Sequence, residues 1–436
     1  MSSPLIYNVL NSKPRTISRA EGVWLIDTDG RRYLDGSSGA VVVNVGHAVP
    51  EIVGAIEEQA AKVTFTHRAV FTSRPAEELA GRLCAATGYA GAWFVNSGSE
   101  ANEAAIQFAL QYFQEIGQPE RQWFMSHEFG FHGSTMGSLS MSGHTRRTAL
   151  GDLAYAFPVL PTPYAYRDAP ELSDREYADR LLEGARQQFE EHGHRLAGVF
   201  IEPVGGATFG ATVPPDGYLQ GLRSLCDEYG VLLITDEVMS GAGRTGRMLA
   251  AEHWGIRADI VTLGKGLGAG YTPVAATLLS SAIVSAIEHG SGRILGGHTY
   301  AGNPLSLATA LAVVDYTERE RLIERGAASA ELLSAGLRTI DERHRIVADA
   351  RGIGLLQAIE LIRPSDLPQG AVAHRVAEAA MERGLAVYAA SGGYNDALMI
   401  TPPLSITHEE LEFLLEALDG ALSDVEAALL PMEALD

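Results

Sequence analysis

Short apolar runs alternate with helical patterns through the middle of the chain. The apolar runs cover residues 92–95, 122–125, 197–201, 231–234 and 260–263, and two of the helical patterns cover residues 101–113 and 216–229. Short strands without polar alternation are typical of a parallel sheet whose two faces are both covered by helices. The pattern therefore predicts an α/β fold with a mostly parallel central sheet covered by helices.

The two ends of the chain have a different pattern. Near the start, residues 24–35 predict a β-hairpin that turns at Asp29 and Gly30. Beyond about residue 315, helical patterns at 318–338 and 372–383 alternate with strand-like segments at 354–360 and 398–400. We expect residues 66–314 to form a large domain, and residues 1–65 and 315–436 to form together a smaller α+β domain.

The composition indicates which binding partners and which cellular compartment to expect. The 436 residues have a net charge of −21 and no basic cluster, which argues against nucleic acid or an anionic membrane surface as a partner. No run approaches the roughly eighteen apolar residues of a membrane-spanning helix, and the first residues lack the apolar run of a signal peptide. Only two cysteines occur, Cys84 and Cys226, both in helical patterns. These features predict a cytoplasmic protein without a disulfide.

The segment V-T-L-G-K-G-L-G-A-G-Y-T-P at residues 261–273 contains one of only three lysines in the chain. The others are Lys13 and Lys62, and the remaining thirty of the 33 basic side chains are arginine. A desolvated lysine amine can lose its proton and attack a carbonyl, whereas a guanidinium cannot. Lys265 is therefore a candidate nucleophile, and the alternative is a chance lysine in a glycine loop.

Polar residues directly follow several of the predicted strands. Because ligands bind beyond the carboxyl ends of parallel strands, we expect these residues to converge on one site. Residues 96–98 (N-S-G) come after the run at 92–95, and Ser99 and Glu100 open the next helix. Free N–H groups and a hydroxyl at a helix start can bind phosphate, although S-x-x-E is equally a helix-capping pattern.

Two carboxylates also follow apolar runs. Asp236 comes after V-L-L-I-T, and Glu202 comes after the run at 197–201. A buried carboxylate needs a partner, so Asp236 is a candidate to hold a protonated ring nitrogen, to cap a helix or to bind a metal. We expect no metal, because no His or Cys lies nearby at a suitable spacing.

An aromatic residue completes the constellation. Phe131 and His132 lie in a glycine-rich loop after another apolar run, where the ring of Phe131 either stacks on a flat ligand or belongs to the core. An amine, a carboxylate, a phosphate site and a flat ring together match pyridoxal 5′-phosphate. That cofactor offers an aldehyde to Lys265, a pyridine nitrogen to Asp236 and a phosphate to a helix start.

Motifs along nearly the whole chain resemble those of the class III pyridoxal-phosphate aminotransferases, which have the fold type I architecture of the aspartate aminotransferase superfamily. In chain order they are D-G-R-R-Y-L-D-G-S-S-G, N-V-G-H, N-S-G-S-E-A-N-E-A-A, F-H-G-S-T, I-E-P-V, L-L-I-T-D-E-V, G-R-T-G, L-G-K-G-L, G-H-T-Y-A-G-N-P and T-P-P-L. Each motif alone is weak, but the ordered set is specific.

The resemblance implies a role for each matched residue. Lys265 is expected to form the Schiff base (aldimine) with the cofactor and to shuttle a proton, and Asp236 to pair with the pyridinium nitrogen. The remaining expected contacts are Gly98 and Ser99 to the phosphate, Val238 and Phe131 to the two faces of the ring, His132 and Glu202 as supports, and Thr299 to the phosphate of a neighbouring subunit. The last contact implies a homodimer or a dimer of dimers.

The chain departs from the family pattern at the substrate side. Many members bind a substrate α-carboxylate with an arginine two residues before the T/A-P-P-L segment, where this chain has Met399. In some members a glutamate five residues after the I-E-P glutamate pairs with that arginine, and this chain has Ala207 there. Arg68, or an arginine in the 343–351 region, is a candidate replacement, and the alternative is a solvated surface arginine.

The leading interpretation is an aminotransferase that moves an amino group from an amine or amino acid donor to a 2-oxo acid such as pyruvate by a ping-pong mechanism. A racemase or epimerase of the same family is the alternative, because some such members also lack the arginine and have a glycine-rich approach like S-G-G-Y-N at residues 391–395. A catalytically silent binding protein on this fold is disfavoured by the presence of Lys265.

Overall fold

Three β-sheets organise the part of the chain that the structure describes. The structure is a computed structural model that describes residues 5–9, 14–390 and 392–429; Lys13 lies outside these residues. The strands are β1 (Ile17–Glu21), β2 (Trp24–Asp27), β3 (Arg32–Asp35), β4 (Gly91–Val95), β5 (Trp123–His127), β6 (Val159–Leu160), β7 (Leu196–Ile201), β8 (Leu232–Asp236), β9 (Ile260–Leu263), β10 (Ala275–Leu279), β11 (Val347–Ile353), β12 (Leu356–Leu361), β13 (Leu385–Ala386), β14 (Tyr388–Ala389) and β15 (Ala397–Ile400).

Helices connect these strands and cover the central sheet. They are α1 (Ser38–Val41), α2 (Pro50–Ala60), α3 (Arg74–Thr87), α4 (Gly98–Glu115), α5 (Met136–Ser140), α6 (Ala165–Asp168), α7 (Asp174–His192), α8 (Tyr218–Tyr229), α9 (Ser281–His289), α10 (Pro304–Arg319), α11 (Leu322–Arg343), α12 (Ala371–Glu382) and α13 (His408–Leu429). Short 3₁₀ turns lie at Thr145–Leu153, Ala250–Trp254 and Lys265–Leu267.

The central sheet has seven strands in the order β4-β10-β9-β8-β7-β5-β6. The pairs from β9 to β6 are all parallel, and β10 is antiparallel to both of its neighbours. The five predicted apolar runs correspond to β4, β5, β7, β8 and β9, and the last three are completely buried. The predicted α/β fold with a mostly parallel sheet is confirmed, while the antiparallel β10 was not anticipated.

Both chain ends build the two remaining sheets. The predicted hairpin is β2 and β3, with Gly30 at a positive φ of 83°, and β13 from the C-terminal part pairs with β3. The third sheet has the order β11-β12-β15-β14 and belongs wholly to the C-terminal part. The domain limits at residues 65 and 314 stay a prediction.

One predicted helix is wrong in its limits. The pattern at residues 318–338 predicted a single helix, but α10 ends at Arg319 and α11 begins at Leu322. The break lies at Arg321, which has a positive φ of 52° and therefore cannot continue a right-handed helix. The chain reverses there so that α10 packs on α2 and α3, whereas α11 packs on β11 and α13.

Candidate active site

The carboxyl ends of the parallel strands bring most of the predicted site residues together. Asp236 is the last residue of β8, Glu202 follows β7, and Lys265 follows β9 after Gly264. Because β7, β8 and β9 are adjacent and parallel, these three side chains emerge at the same edge of the sheet. The negative charges of Asp236 and Glu202 both act to raise the pKa of the Lys265 amine, against the larger effect of its burial.

Asp236 is held by two side-chain donors, one on α4 and one in the loop between β5 and α5. Its Oδ2 accepts a hydrogen bond from Nδ2 of Asn102 at 2.7 Å and lies 3.0 Å from Nδ1 of His132. Oδ1 accepts from the backbone N–H of Val238 at 3.1 Å. The carboxylate is only 5% exposed, so these bonds offset much of its loss of hydration.

His132 is buried, and its pKa reflects two opposing effects. Burial lowers the pKa of the imidazole, but the hydrogen bond and the negative charge of Asp236 outweigh burial and raise it above its usual value. The carboxylate of Asp236 therefore favours a proton on the ring nitrogen that faces it. An ionised carboxylate in this position can stabilise a cationic ring nitrogen.

Asn102 is the site residue that sequence reasoning missed. Its side chain donates to Asp236 and to the backbone oxygen of His132, and its Oδ1 accepts from Oγ1 of Thr262 at 2.8 Å. Asn102 lies on α4, four residues after Gly98, and is 1% exposed. A polar residue on the buried face of the helix after N-S-G-S-E was the available signal, since a buried amide needs partners.

Glu202 connects the site to two loops. Its Oε2 accepts from the backbone N–H of Phe131 at 2.9 Å, and its Oε1 accepts from that of Gly206 at 3.0 Å. Burial raises the pKa of Glu202 to about 7, and the charge of Asp236 adds to that rise while His132 and Lys265 oppose it. The structure therefore gives Glu202 the supporting contacts that place Phe131 beside the site.

Lys265 begins a 3₁₀ turn with an unusual backbone. Its φ is +39°, a region that costs energy for a residue with a Cβ. Burial, together with a smaller effect of the positive charge of Arg244, lowers the pKa of the amine to about 8 against the opposing charges of Asp236 and Glu202. A lysine in this state reaches its neutral, nucleophilic form close to neutral pH.

The start of α4 has the geometry of a phosphate-binding helix terminus. Ser97 caps the helix by accepting from the N–H of Glu100 at 3.2 Å, so the capping interpretation holds at Ser97. Gly98 and Ser99 are the first two helical residues, whose N–H groups have no acceptor within the helix. Oγ of Ser99 accepts from the N–H of Ser134 at 3.0 Å, which brings a second loop to the same terminus.

Two glycines beside this helix start lie so close to neighbouring side chains that a Cβ would not fit. A Cβ on Gly98 would lie 2.7 Å from Cγ1 of Val238, and a Cβ on Gly133 would lie 2.7 Å from Oγ of Ser99. Val238 also contacts the site of Gly264, the residue before Lys265, where a Cβ would lie 3.2 Å from its Cγ1. Val238 thus lies between the helix start and the lysine loop.

Thr299 is exposed, on a segment that is itself mostly exposed. Residues 294–300 and residues 65–71 both include exposed apolar side chains. The two segments are in contact, because the ring centres of Phe65 and Tyr300 lie 6.3 Å apart. Nη2 of Arg68 donates to the backbone oxygen of Gly296 at 3.1 Å, and its guanidinium lies 4.0 Å from the ring centre of Trp93. Arg68 therefore holds two surface segments together.

The two residues that differ from the family pattern on the substrate side, Met399 and Ala207, are both buried. Met399 is fully buried in β15, where it pairs with Ala358 of β12 and Tyr388 of β14, and Ala207 is buried in the loop after β7. Arg351 of β11 is opposite Ala358, but its guanidinium already binds Asp349 at 2.7 Å, Glu360 at 3.0 Å and the backbone oxygens of residues 209 and 210. Arg351 is therefore a structural arginine.

The donor set at the strand ends fits pyridoxal 5′-phosphate. The site offers a desolvated amine at Lys265, a buried and hydrogen-bonded carboxylate at Asp236 and a glycine-serine helix start at residues 98–99. Close contacts leave no room for a Cβ at Gly98 and Gly133. Among the described residues, no group of three or more His, Cys, Asp or Glu side chains has the arrangement of a metal site, and no helix is long and apolar enough to cross a membrane.

Comparisons with known proteins agree with this assignment. The model of the family described as Aminotransferase class-III matches residues 7–422. The chain is 39% identical over 447 residues to the uncharacterized aminotransferase YodT of Bacillus subtilis (strain 168), with 98% of this chain and 99% of that protein covered.

Solved structures show the same architecture. An amine transaminase from an uncultivated Pseudomonas species, in its PLP-bound form, superposes with a TM-score of 0.90 at 33% identity, over 97% of this chain and 98% of that chain. The omega transaminase of Pseudomonas jessenii in complex with PMP gives a TM-score of 0.90 at 31% identity, over 95% and 94% of the two chains.

The fold and the site define an enzyme that uses pyridoxal 5′-phosphate. The chain belongs to the class III aminotransferases, and it is an aminotransferase.

Proposed function

We propose that this enzyme transfers an amino group from an amine or amino acid donor to a 2-oxo acid such as pyruvate, by a ping-pong mechanism. The observation that carries the proposal is the convergence of Lys265 and Asp236 at the ends of adjacent parallel strands, with the carboxylate of Asp236 held by Asn102 and His132. When bound, pyridoxal 5′-phosphate supplies an aldehyde and an electron sink.

The chain's own residues supply binding, charge and proton transfer. Lys265 would bind the aldehyde and, as a free amine, would move a proton to and from the substrate. Asp236 would favour a proton on the ring nitrogen, because a carboxylate next to it stabilises the cation. Gly98 and Ser99 would hold the phosphate, and Val238 and Phe131 would hold the ring. Glu202 and His132 hold Phe131 and Asp236 in place.

We propose that the active enzyme is a homodimer, alone or within a dimer of dimers. Thr299 completes the phosphate site of the partner subunit in this proposal. Its exposed position supports that role, and so do the apolar side chains exposed around it: Phe65, Val70, Phe71, Leu295 and Tyr300. An apolar surface of this kind is typical of a face that another protein covers.

The preference for one class of amino donor follows from the apolar residues on the substrate side of the site. A buried α-carboxylate needs a bidentate partner, which arginine supplies best, and Met399 and Ala207 offer none. We therefore propose that amines, or amino compounds whose carboxylate is distant or masked, are better donors than α-amino acids such as glutamate.

The 2-oxo acid acceptor still needs a cation, and Arg146 is the arginine that the geometry favours. Its guanidinium carbon lies 5.8 Å from the ring centre of Phe131, and its backbone N–H donates to Nδ1 of His144, whose ring also contacts Phe131. Arg146 is exposed beside the rings of Phe131 and His144, and it forms no ion pair with a described residue. Arg68 is the second candidate, by way of a partner subunit.

A panel of donors and acceptors on the purified yellow enzyme, expected to act in the cytoplasm, tests the proposal. Each substrate is mixed alone with the enzyme, and the loss of near-visible absorbance reports the first half-reaction. Amine donors should react faster than glutamate, and pyruvate should restore the absorbance. Scrambling of the α-carbon of one chiral substrate without any acceptor would instead identify a racemase, and no spectral change with any donor would exclude both activities.

A further inference from the structure

Arg244 is a fully buried arginine in the G-R-T-G turn, residues 243–246, for which the proposed function gives no role. The turn lies between β8 and β9, and its two glycines have positive φ values of 88° and 85°. The side chain of Arg244 is 0% exposed. A buried cation without a counter-ion is costly, so its presence here needs a physical reason.

The guanidinium binds only neutral acceptors, and these come from both ends of the chain. Nη1 donates to the backbone oxygens of Pro402 at 2.6 Å, Leu355 at 3.2 Å and Thr401 at 3.3 Å. Nη2 donates to Oδ1 of Asn44 at 2.6 Å and to Oγ of Ser38 at 3.2 Å. No carboxylate among the described residues forms an ion pair with Arg244, so its charge is not cancelled by direct contact.

One of these acceptors lies directly against the catalytic lysine loop. A Cβ on Gly266 would lie 2.1 Å from Nδ2 of Asn44, so only glycine fits next to Lys265. The same Nδ2 donates to the backbone oxygen of Ala242 at 3.0 Å. Arg244 and Asn44 therefore join the lysine loop to Thr401 and Pro402, which follow the strand that contains Met399.

The charges that face Lys265 come from three elements. Asp236 of β8 and Glu202 after β7 favour the protonated amine, while Arg244 disfavours it and lowers the pKa of Lys265. His132 shares the carboxylate of Asp236. Arg244 itself faces Asp35, but that carboxylate binds the N–H of Gly39 and Nε2 of His47 rather than the guanidinium.

We propose that Arg244 is a positioning residue that fixes the Lys265 loop against the end of the Met399 strand and presents a permanent positive charge to the Lys265 nitrogen. A positive charge held beside the lysine loop through Asn44 disfavours protonation of the Lys265 nitrogen. This inference rests on the proposed role of Lys265. The competing explanation is a purely structural arginine that joins the chain ends and has no influence on the lysine.

The test is a pH titration of the near-visible absorbance of the holoenzyme, which reports protonation at the Lys265 nitrogen independently of turnover. Arg244→Met removes the charge and keeps most of the volume, whereas Arg244→Lys keeps the charge but loses the planar fork. We expect the midpoint to rise by about one unit in Arg244→Met, the scale of one nearby charge, and to stay close to wild type in Arg244→Lys. Equal midpoints in wild type and Arg244→Met would overturn the inference.

A second variant keeps the inference testable if Arg244→Met does not fold. Asn44→Asp places a carboxylate 2.6 Å from Nη2, where it forms an ion pair with Arg244 and cancels its field. The midpoint should rise in this variant as well, and an unchanged midpoint would contradict the inference.

Arg351→Met is the matched control, since Arg351 is also buried, also donates to loop carbonyls and does not act on the charge of Lys265. It should lower the urea midpoint of the apoenzyme without moving the absorbance midpoint. An upward shift in Arg351→Met equal to that in Arg244→Met would overturn the inference, because the shift would then follow from lost packing rather than from the charge of Arg244. Wild type that shows no near-visible absorbance with pyridoxal 5′-phosphate would instead refute the proposed function, a result distinct from failure of the inference.

Discussion

Nδ2 of Asn102 lies 2.7 Å from Oδ2 of Asp236, the same carboxylate oxygen that Nδ1 of His132 approaches to 3.0 Å. Two donors on one oxygen hold the carboxylate in a single orientation. Both contacts join residues more than a hundred positions apart in the chain. The site therefore depends on the packing of α4 and the 131–133 loop against the end of β8.

Asp236→Asn should slow the half-reaction with an amine donor by a factor of roughly 10² to 10⁴, because the amide cannot stabilise a protonated ring nitrogen. Stopped-flow absorbance measures the rate. Asp396→Asn is the control, since Asp396 is also buried but accepts from the N–H groups of Val372 and Ala373 at the start of α12. A rate for Asp236→Asn within twofold of wild type would mean that Asp236 has only a structural role.

Lys265→Ala should abolish turnover and leave the fold intact, because the phosphate and ring contacts come from other residues. Borohydride reduction of the wild-type holoenzyme followed by peptide mapping should find the pyridoxyl group on Lys265. Lys62 serves as the internal comparison, since it is exposed and paired with Glu58. Labelling of Lys13 or Lys62 in place of Lys265 would refute the assignment of the nucleophile.

Mixed dimers test the role proposed for Thr299. Thr299→Ala should weaken cofactor affinity about tenfold or more, the scale of one hydrogen bond to a charged group. In a dimer of one Thr299→Ala subunit and one Lys265→Ala subunit, the site with the intact lysine regains Thr299 from its partner. Dissociation, mixing and reassembly should then restore cofactor affinity at that site. No recovery on mixing, or full activity of an isolated monomer, would contradict the shared site.

Met399→Arg should raise the affinity for α-amino acid donors by about 1.5–3 kcal/mol if the new guanidinium binds the carboxylate. Met399→Leu is the matched control, because it changes the shape of this buried position without adding a charge. Half-reaction rates against donor concentration give the apparent affinities. A wild-type enzyme that already prefers glutamate to every amine by a wide margin would show that the pocket has been interpreted wrongly.

Glu202→Gln should make the stability of the apoenzyme less dependent on pH. Burial raises the pKa of Glu202 to about 7, so its folded form holds a proton that the unfolded form has released above about pH 5. A raised carboxyl pKa contributes stability below the unfolded pKa, and this contribution is lost as the pH rises through 7. Between pH 5 and 8 the free energy of unfolding of the wild type, measured in urea, should fall by about 2 kcal/mol relative to that of the variant. If the difference in the free energy of unfolding between wild type and variant stayed constant from pH 5 to 8, the raised pKa of Glu202 would be contradicted.

The central sheet was predictable because its signal is local. Strands buried on both faces have continuous apolar runs, and β7, β8 and β9 coincide with such runs to within a residue or two. The antiparallel β10 has a similar run, A-A-T-L-L, whose direction depends on its neighbours β4 and β9 rather than on its own sequence. The break between α10 and α11 was missed because both helical patterns are continuous with each other across Arg321.

The sequence by itself determined the chemistry of this protein: a single lysine after a buried strand, a carboxylate after the neighbouring strand and a glycine-serine helix start, each recognisable from adjacent residues. Only the tertiary structure decided how those groups are supported. Asn102 reaches Asp236 across 134 positions and Arg244 reaches Pro402 across 158, separations at which no periodicity in the chain carries information. These contacts exist because buried polar groups must find partners wherever the packed fold brings them, and that requirement acts in space rather than along the sequence.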